Sequence, residues 1–525
     1  MSSISRSERR RQKRDGNANP MTGRHKLQFD PESERLARMV EEGSRRFQSG
    51  DSEGANTIWR SVLDEDIEHP GALHGMGVIA RDLGRFEVSV ELMRRALSRD
   101  PRNQSIHNNL GTALEAWGRF DDAITAYKAG LRWSPKDWVL FNNLGSCFAR
   151  MGRRANAISA FEKALRFGGD TAELLTNYGA TIADTGDFEK AEPYFKRALD
   201  LNPIPSPLHF AYGAQLQKQG HWKEGWTYYE RRFLKSTWSV RPRFFPQPFW
   251  EGGDMSGKSL LLWGEQGIGD EIRFASMVPD AVASGAAVSF ECAAKLAPLF
   301  ARSFPDVTVL PAPFDAGEKG EVPFDAQSPL GSLGRLYRNE ASAFPRHKGY
   351  LVADPVRVED FTQRLAAEGS APRVGICWRS GLAGAFRNDY YTAPRELAPM
   401  LKTRNVSFVN LQYGVTDDEI AEFRDRFGVE LNQWIDLDLR DDLDGAAALT
   451  SCLDLVVSAA TSVSCMAGAL GVPTLEFRPT PVADKFLVDG ACPWFASLQY
   501  VDKKATEPWS AVFRKVARHL EAMKG

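Results

Sequence analysis

Residues Ser259–Phe274 read SLLLWGEQGIGDEIRF. Leu260–Trp263 is a short apolar run of the kind that forms a buried strand, and Gly264, Gly267 and Gly269 then interrupt it. Beyond the glycines, Ile272, Ala275, Ser276 and Val278 recur at the spacing of one helix face. Strand, glycine turn and helix together bring backbone N–H groups and the positive end of a helix up to an anionic ligand. Asp270 falls at that end, where the helix field favours an ionised carboxylate that can serve as a base. The plainer reading is an N-cap, since Asp is among the commonest capping residues.

The same alternation continues downstream. Strand-like runs at Ala287–Phe290 and Val307–Leu310, with Phe324-Asp325 leading into a loop, complete a first half, residues 259–355. A second half, residues 356–525, has runs at Arg373–Trp378, Ser407–Leu411, Leu431–Ile435, Leu453–Val457 and Thr474–Phe477. Helical stretches separate them, including Val463–Leu470 and Pro508–Met523. Strands alternating with helices predict parallel sheets with right-handed crossovers, here two Rossmann-like α/β halves with a ligand cleft at the strand C-termini. In that cleft Gln266, Gly267 and Gly269 line one side. Thr461 and Ser462 open a helix on the other, and Arg379, Ser380 and Arg387 follow the first strand of the second half. Thr461 and Ser462 also read as plain helix caps, and Arg387 as a solvated loop charge.

Upstream, Gly252–Ser259 (GGDMSGKS) matches the phosphate-loop pattern GxxxxGK[ST]. That pattern needs a strand before it and a helix after it, whereas a Pro-rich segment precedes and a strand follows. The match carries no nucleotide triphosphatase. Residues 236–258, rich in Pro and aromatics without a period, read as an ordered linker.

Glycines at Gly43, Gly77, Gly111, Gly145, Gly179 and Gly213 recur at a constant step of 34 residues. Ala123, Tyr127 and Pro135 follow Gly111 at offsets of 12, 16 and 24, and Ala191, Phe195 and Pro203 follow Gly179 in the same way. Residues 31–235 therefore resemble a tetratricopeptide repeat array, an all-α solenoid of helix pairs with a degenerate first repeat at Gly43. Asn109, Asn143 and Asn177 stand two residues before three successive marker glycines. A primary amide donates and accepts at once, so such a ladder can hold a peptide backbone; it can equally bond the neighbouring helix.

The 525 residues imply several domains, and 66 basic against 68 acidic residues imply no general attraction to nucleic acid or membrane. Residues 1–30 are a loose basic tail, too polar to bury a core. Six cysteines show no metal-binding spacing, and no apolar run is long enough for a signal or a membrane span. A cytoplasmic location is expected.

Three stretches in order, SLLLWGEQGIGDEIRFASMVP (Ser259–Pro279), DLVVSAATSVSCMAGALGVPTLEF (Asp454–Phe477) and CPWFASLQ (Cys492–Gln499), resemble the lipopolysaccharide heptosyltransferase family, especially its repeat-fused relatives. The resemblance implies a GT-B fold, a nucleotide-sugar donor held by the second half, and inverting transfer without metal or cofactor, with donor binding expected of Gln266, Gly267, Gly269, Arg379, Ser380, Arg387, Thr461 and Ser462. It implies Asp270 as the catalytic base and a protein acceptor such as flagellin, delivered by the array. Ala460 and Cys465 replace an Asp and a His of the family pattern, which argues against ADP-heptose and toward a smaller leaving group such as CMP carrying a nonulosonic acid. Two alternatives stand beside this reading. One is a repeat scaffold with a degenerate transferase half. The other is a dinucleotide-dependent enzyme using the glycine turn and Glu291, although the glycine spacing is the reverse of GxGxxG.

Overall fold

The structure, a computed structural model, describes residues 31–204, 206–234, 245–313, 324–346, 348–380, 391–479, 492–504 and 507–523. The basic tail, much of the linker, and Arg387 lie outside the described residues. The chain divides into two compact units, Met1–Trp117 and Gly118–Gly525.

The first unit is all helix: α1 (Pro31–Gln48), α2 (Ser52–Glu65), α3 (Pro70–Asp82), α4 (Phe86–Arg99) and α5 (Gln104–Ala116). The second opens with seven more: α6 (Phe120–Trp133), α7 (Trp138–Arg150), α8 (Arg154–Arg166), α9 (Ala172–Ala183), α10 (Phe188–Leu201), α11 (Pro207–Lys218) and α12 (Trp222–Tyr229). The offset of 16 now has a cause. A Cβ on Gly145 would stand 2.6 Å from the Phe161 ring, and one on Gly179 would stand 3.3 Å from Phe195. The bare glycine lets the aromatic of the second helix lie against the backbone of the first. Gly43 does the same for Trp59, so the first repeat keeps the device despite its divergence. A second glycine series, Gly50, Gly84, Gly118, Gly152, Gly186 and Gly220, turns the chain between successive helices at φ between 70° and 97°. Only glycine adopts that conformation without cost.

After α12 a 3₁₀ turn (Glu230–Leu234) ends the array. The first α/β half holds β1 (Ser259–Trp263), α13 (Ile268–Ala275), α14 (Val278–Val282), β2 (Ala287–Ala293), α15 (Ala297–Ser303), β3 (Thr308–Ala312), β4 (Ala326–Pro329) and α16 (Leu333–Tyr337). Its sheet is wholly parallel in the order β3-β2-β1-β4. The second half holds α17 (Pro355–Ala367), β5 (Arg373–Cys377), α18 (Ala398–Leu401), β6 (Ser407–Asn410), α19 (Asp417–Phe427), α20 (Leu443–Ser451), β7 (Leu455–Ala459), α21 (Ser462–Leu470), β8 (Thr474–Pro479), β9 (Leu498–Lys503) and α22 (Trp509–Ala522). Its sheet is parallel throughout, in the order β6-β5-β7-β8-β9. Leu260–Trp263 and the whole of β7 are buried, as continuous apolar runs in parallel sheets should be.

Three expectations need correction. Leu431–Ile435 forms no strand: Asn432 makes two backbone bonds, to Phe408 and Asn410, and the chain then leaves with Ile435 fully exposed. The stretch after Phe324-Asp325 is a strand rather than a loop, because Ala326–Pro329 pairs with β1 although it has no β-branched residue. Its Gln327 accepts a hydrogen bond from Trp263 Nε1 at 2.8 Å, which satisfies a buried polar pair. β9, which continues the CPWFASLQ stretch, was not expected as a strand. The GGDMSGKS segment is a turn with Gly252, Gly253 and Gly257 at positive φ, and β1 follows it.

Candidate functional site

Each sheet reverses its strand order beside its first strand, between β1 and β4 and between β5 and β7. Crevices outside such reversals are where open α/β sheets hold ligands. The helices that leave β1 and β7 meet at their starts. A Cβ on Gly269 would lie 3.5 Å from Ser462 Cα and 3.5 Å from Cys465 Sγ, so the two helix N-termini converge. The positive ends of both helix fields therefore face one region.

Asp270 stands in the first turn of α13, and the capping residue is Gly267. The plain N-cap role therefore does not apply to it. Its side chain is 38% exposed, and Arg273 Nη1 lies 3.6 Å from its Oδ1. Arg273 also approaches Cys465, with Nη2 4.0 Å from Sγ. Burial pushes the Cys465 thiol up to about 12, so it is a neutral neighbour and not a nucleophile.

The other expected residues divide into two groups. Gly269 and Ser462 adjoin each other, and Ser462 lines a cavity of about 170 Å³. Both halves build that cavity, Ile268 and Lys295 from the first and Tyr413, Arg440, Val463 and Met466 from the second. A second space of about 360 Å³ shares Tyr413, Leu439 and Arg440 with it. Gly267 is exposed at the mouth of the turn. Thr461 caps α21, its Oγ1 accepting from Val463 N at 3.2 Å. Gln266 turns the other way and donates to Tyr229 Oη of the last repeat. Arg379 is held by Glu419 through Nε at 2.9 Å and Nη2 at 2.5 Å, and Nη2 also donates to Gly414 O. Its charge is met within the protein. Ser380 Oγ lies 3.2 Å from Tyr413 Oη. Glu291 is buried inside β2, in register with Trp263.

In the array, Asn109 is bonded to His74 and Arg81 of the preceding repeat, at 2.8 and 3.3 Å. Asn177 donates to Ser146 of its preceding repeat at 3.5 Å, and Asn143 accepts from Asn142 at 3.4 Å. Asn109 and Asn177 thus bond neighbouring helices, and all three remain half-buried.

The sequence reading missed two buried carboxylates beside the turn. Glu271 is 7% exposed and accepts from Ala293 N at 2.8 Å. Burial pushes its carboxyl up to about 7. Its helical spacing to Phe274, Ala275 and Val278 was the available signal, since it shares their inward face. Glu265, at the end of β1, receives Arg232 of the 3₁₀ turn fork to fork, at 2.6 and 2.8 Å. Long-range pairing of this kind leaves no periodic trace in a sequence.

Ion pairs also cross between the halves. Lys295 meets Asp441, and Arg302 meets Asp444 at the start of α20. Tyr350 N and Leu351 N donate to Ala469 O of α21 at 2.8 and 3.0 Å. Among the described residues no cluster of His, Cys, Asp and Glu is placed to hold a metal ion, and no helix is long and apolar enough to cross a membrane.

Residues 74–138 and 139–203 match the tetratricopeptide repeat family. This part of the chain is a tetratricopeptide repeat array. Over 316 residues the chain is 34% identical to Protein FlbA of Caulobacter vibrioides, a match covering 55% of this chain and 51% of that protein. The chain thus spans about half the length of this curated relative. Among solved structures it is similar to a thermophilic tetratricopeptide protein of Thermus thermophilus, at 22% identity and a TM-score of 0.31, over 34% of this chain and 98% of the other. It is also similar to PilF of Pseudomonas aeruginosa, at 20% identity and a TM-score of 0.35, over 38% of this chain and 90% of the other.

Proposed function

We propose that the chain is a glycosyltransferase of GT-B type that moves a sugar from a nucleotide-sugar to a hydroxyl of a protein bound by the repeat array. The observation that carries this reading is the meeting of Gly269 with Ser462, which aligns Asp270 with the start of α21 beside a cavity built by both halves. A half-exposed carboxylate supplies the base, and two helix starts with Arg440 nearby supply positive potential for a phosphate. The acceptor oxygen bonds to the anomeric carbon as the bond from that carbon to the phosphate oxygen breaks. The hydroxyl proton passes to Asp270, the nucleotide departs with the bonding pair, and configuration inverts. The resemblance in sequence makes flagellin the first acceptor to try. The reaction would take place where both substrates are made, in the cytoplasm.

The test is intact mass spectrometry of proteins recovered with the chain from cells carrying either the parent or Asp270→Asn. A sugar-sized increment present with the parent and absent with the variant is expected. An increment of equal size with Asp270→Asn would end this role for the carboxylate. The internal pairing of Arg379, together with Ala460 and Cys465, favours the second reading, a scaffold that binds proteins without turnover. Recovery of a partner with no added mass in either sample would select it.

A further inference from the structure

We infer that the last repeat is part of the candidate site, with Arg232 a positioning residue that holds the Gly264–Asp270 turn through Glu265; the proposal rests on Asp270 being the reactive group. Arg232 is 1% exposed and Glu265 2%. Beyond its fork with Glu265, Arg232 donates to Tyr229 O at 3.3 Å, Glu230 Oε1 at 3.0 Å and Ser332 Oγ at 2.8 Å. Glu265 Oε1 also accepts from Gly331 N at 2.7 Å, which ties the ends of β1 and β4 together. Faces of Tyr229 and Phe233 cover the guanidinium, 4.6 and 4.2 Å from their ring centres. Tyr229 then accepts from Gln266, the next residue along the turn. Two consecutive side chains of the turn are therefore anchored on the last repeat and the turn that follows it, and both carboxylate oxygens of Glu265 are met within the protein.

Apolar contacts reinforce the anchor. Trp226 donates to Arg338 O at 2.8 Å and lies edge-on to Phe274 of α13 and to Trp494, with ring centres 6.3 and 6.4 Å away. Trp494 also meets Phe274 at 5.6 Å and Phe344 at 4.9 Å. The last repeat thus touches the first half and the segment preceding β9 of the second half at once. A buried ion pair of this kind seldom adds stability over apolar residues of the same volume, so its geometry is the better explanation for its presence.

The experiment is amide hydrogen exchange on the full chain for the parent, Arg232→Lys, Arg232→Met and the double variant Arg232→Met/Glu265→Met, with thermal unfolding alongside. In the parent, Gly264 N is bonded to Glu291 O and Asp270 N to Gly267 O, so both amides report on the turn. Arg232→Met should speed exchange across Gly264–Asp270 roughly tenfold or more while α7–α10 stay as in the parent, and Arg232→Lys should fall between. The double variant should recover the unfolding midpoint yet keep the fast turn and lose sugar transfer. Return of turn protection together with the midpoint would reduce the pair to a structural filler and overturn the proposal. So would unchanged exchange in every variant, and if Arg232→Met fails to fold, Arg232→Lys decides by the same measure. Transfer that persists in Asp270→Asn would defeat the role of Asp270 while leaving the exchange result standing as a separate fact.

Discussion

Gly269 and Ser462 touch across the crevice: a methyl group on Gly269 would reach Ser462 Cα at 3.5 Å, an ordinary van der Waals distance. Gly269→Ala should therefore fold and bind as the parent does. A branched or longer side chain has no such room, so Gly269→Leu should wedge the two helix starts apart and cost about 1–3 kcal/mol. Urea unfolding of the two variants checks this, and equal midpoints would refute it.

In the array, the missing Cβ of Gly145 leaves space that the Phe161 ring fills at 2.6 Å. Phe161 is fully buried and has no room to withdraw. Gly145→Ala should destabilise by about 1–3 kcal/mol, and adding Phe161→Leu should return part of that loss. Additive losses in the double variant would show that the two positions do not meet.

Glu271 makes stability depend on pH in a defined sense. Its carboxyl titrates near 7 in the folded chain because burial disfavours the charge, against about 4.3 when unfolded. Between those values the folded chain holds the extra proton, so stability falls as pH rises, and the whole penalty is present above 7. Glu271→Gln keeps the bond from Ala293 N and removes the penalty. At pH 8 it should be more stable than the parent by a few kcal/mol, and at pH 4 the two should coincide. Calorimetry at both values tests the sign.

Arg379 should behave as a structural residue. Its fork with Glu419 joins the end of β5 to α19, and both side chains are mostly buried. Arg379→Met leaves Glu419 without its cation and should cost about 2 kcal/mol, less than a fully buried pair because some solvent remains. A variant of unchanged stability that lost nucleotide-sugar binding alone would restore Arg379 as a donor ligand.

Much of this architecture was legible before any coordinates. The 34-residue step located the helix pairs because a repeated packing problem needs the same small residue each time. The runs at β1, β5 and β7 declared themselves because parallel strands covered on both faces are largely apolar along their length. What stayed hidden was decided by distant partners. Ala326–Pro329 has no strand-like composition and is a strand only because β1 lies beside it. Leu431–Ile435 has the apolar ends of a strand but only Asn432 finds a neighbour. Around the candidate site, the strand, the glycine turn and the helix start that carries Asp270 were readable from local pattern. Arg232, more than thirty residues upstream of Glu265 and across the linker, was not. Arg379 looked available because Glu419 sits forty residues away in sequence.

The dependence of Trp226 on Trp494 has a consequence for synthesis. Roughly 270 residues separate the two indoles, so at ordinary elongation rates the ribosome finishes the last repeat tens of seconds before its aromatic cover exists. For most of that interval Trp226, buried in the finished protein, has Phe274 and Arg338 beside it but lacks the Trp494 part of its cover. Closing that seam is therefore among the last steps open to the growing chain.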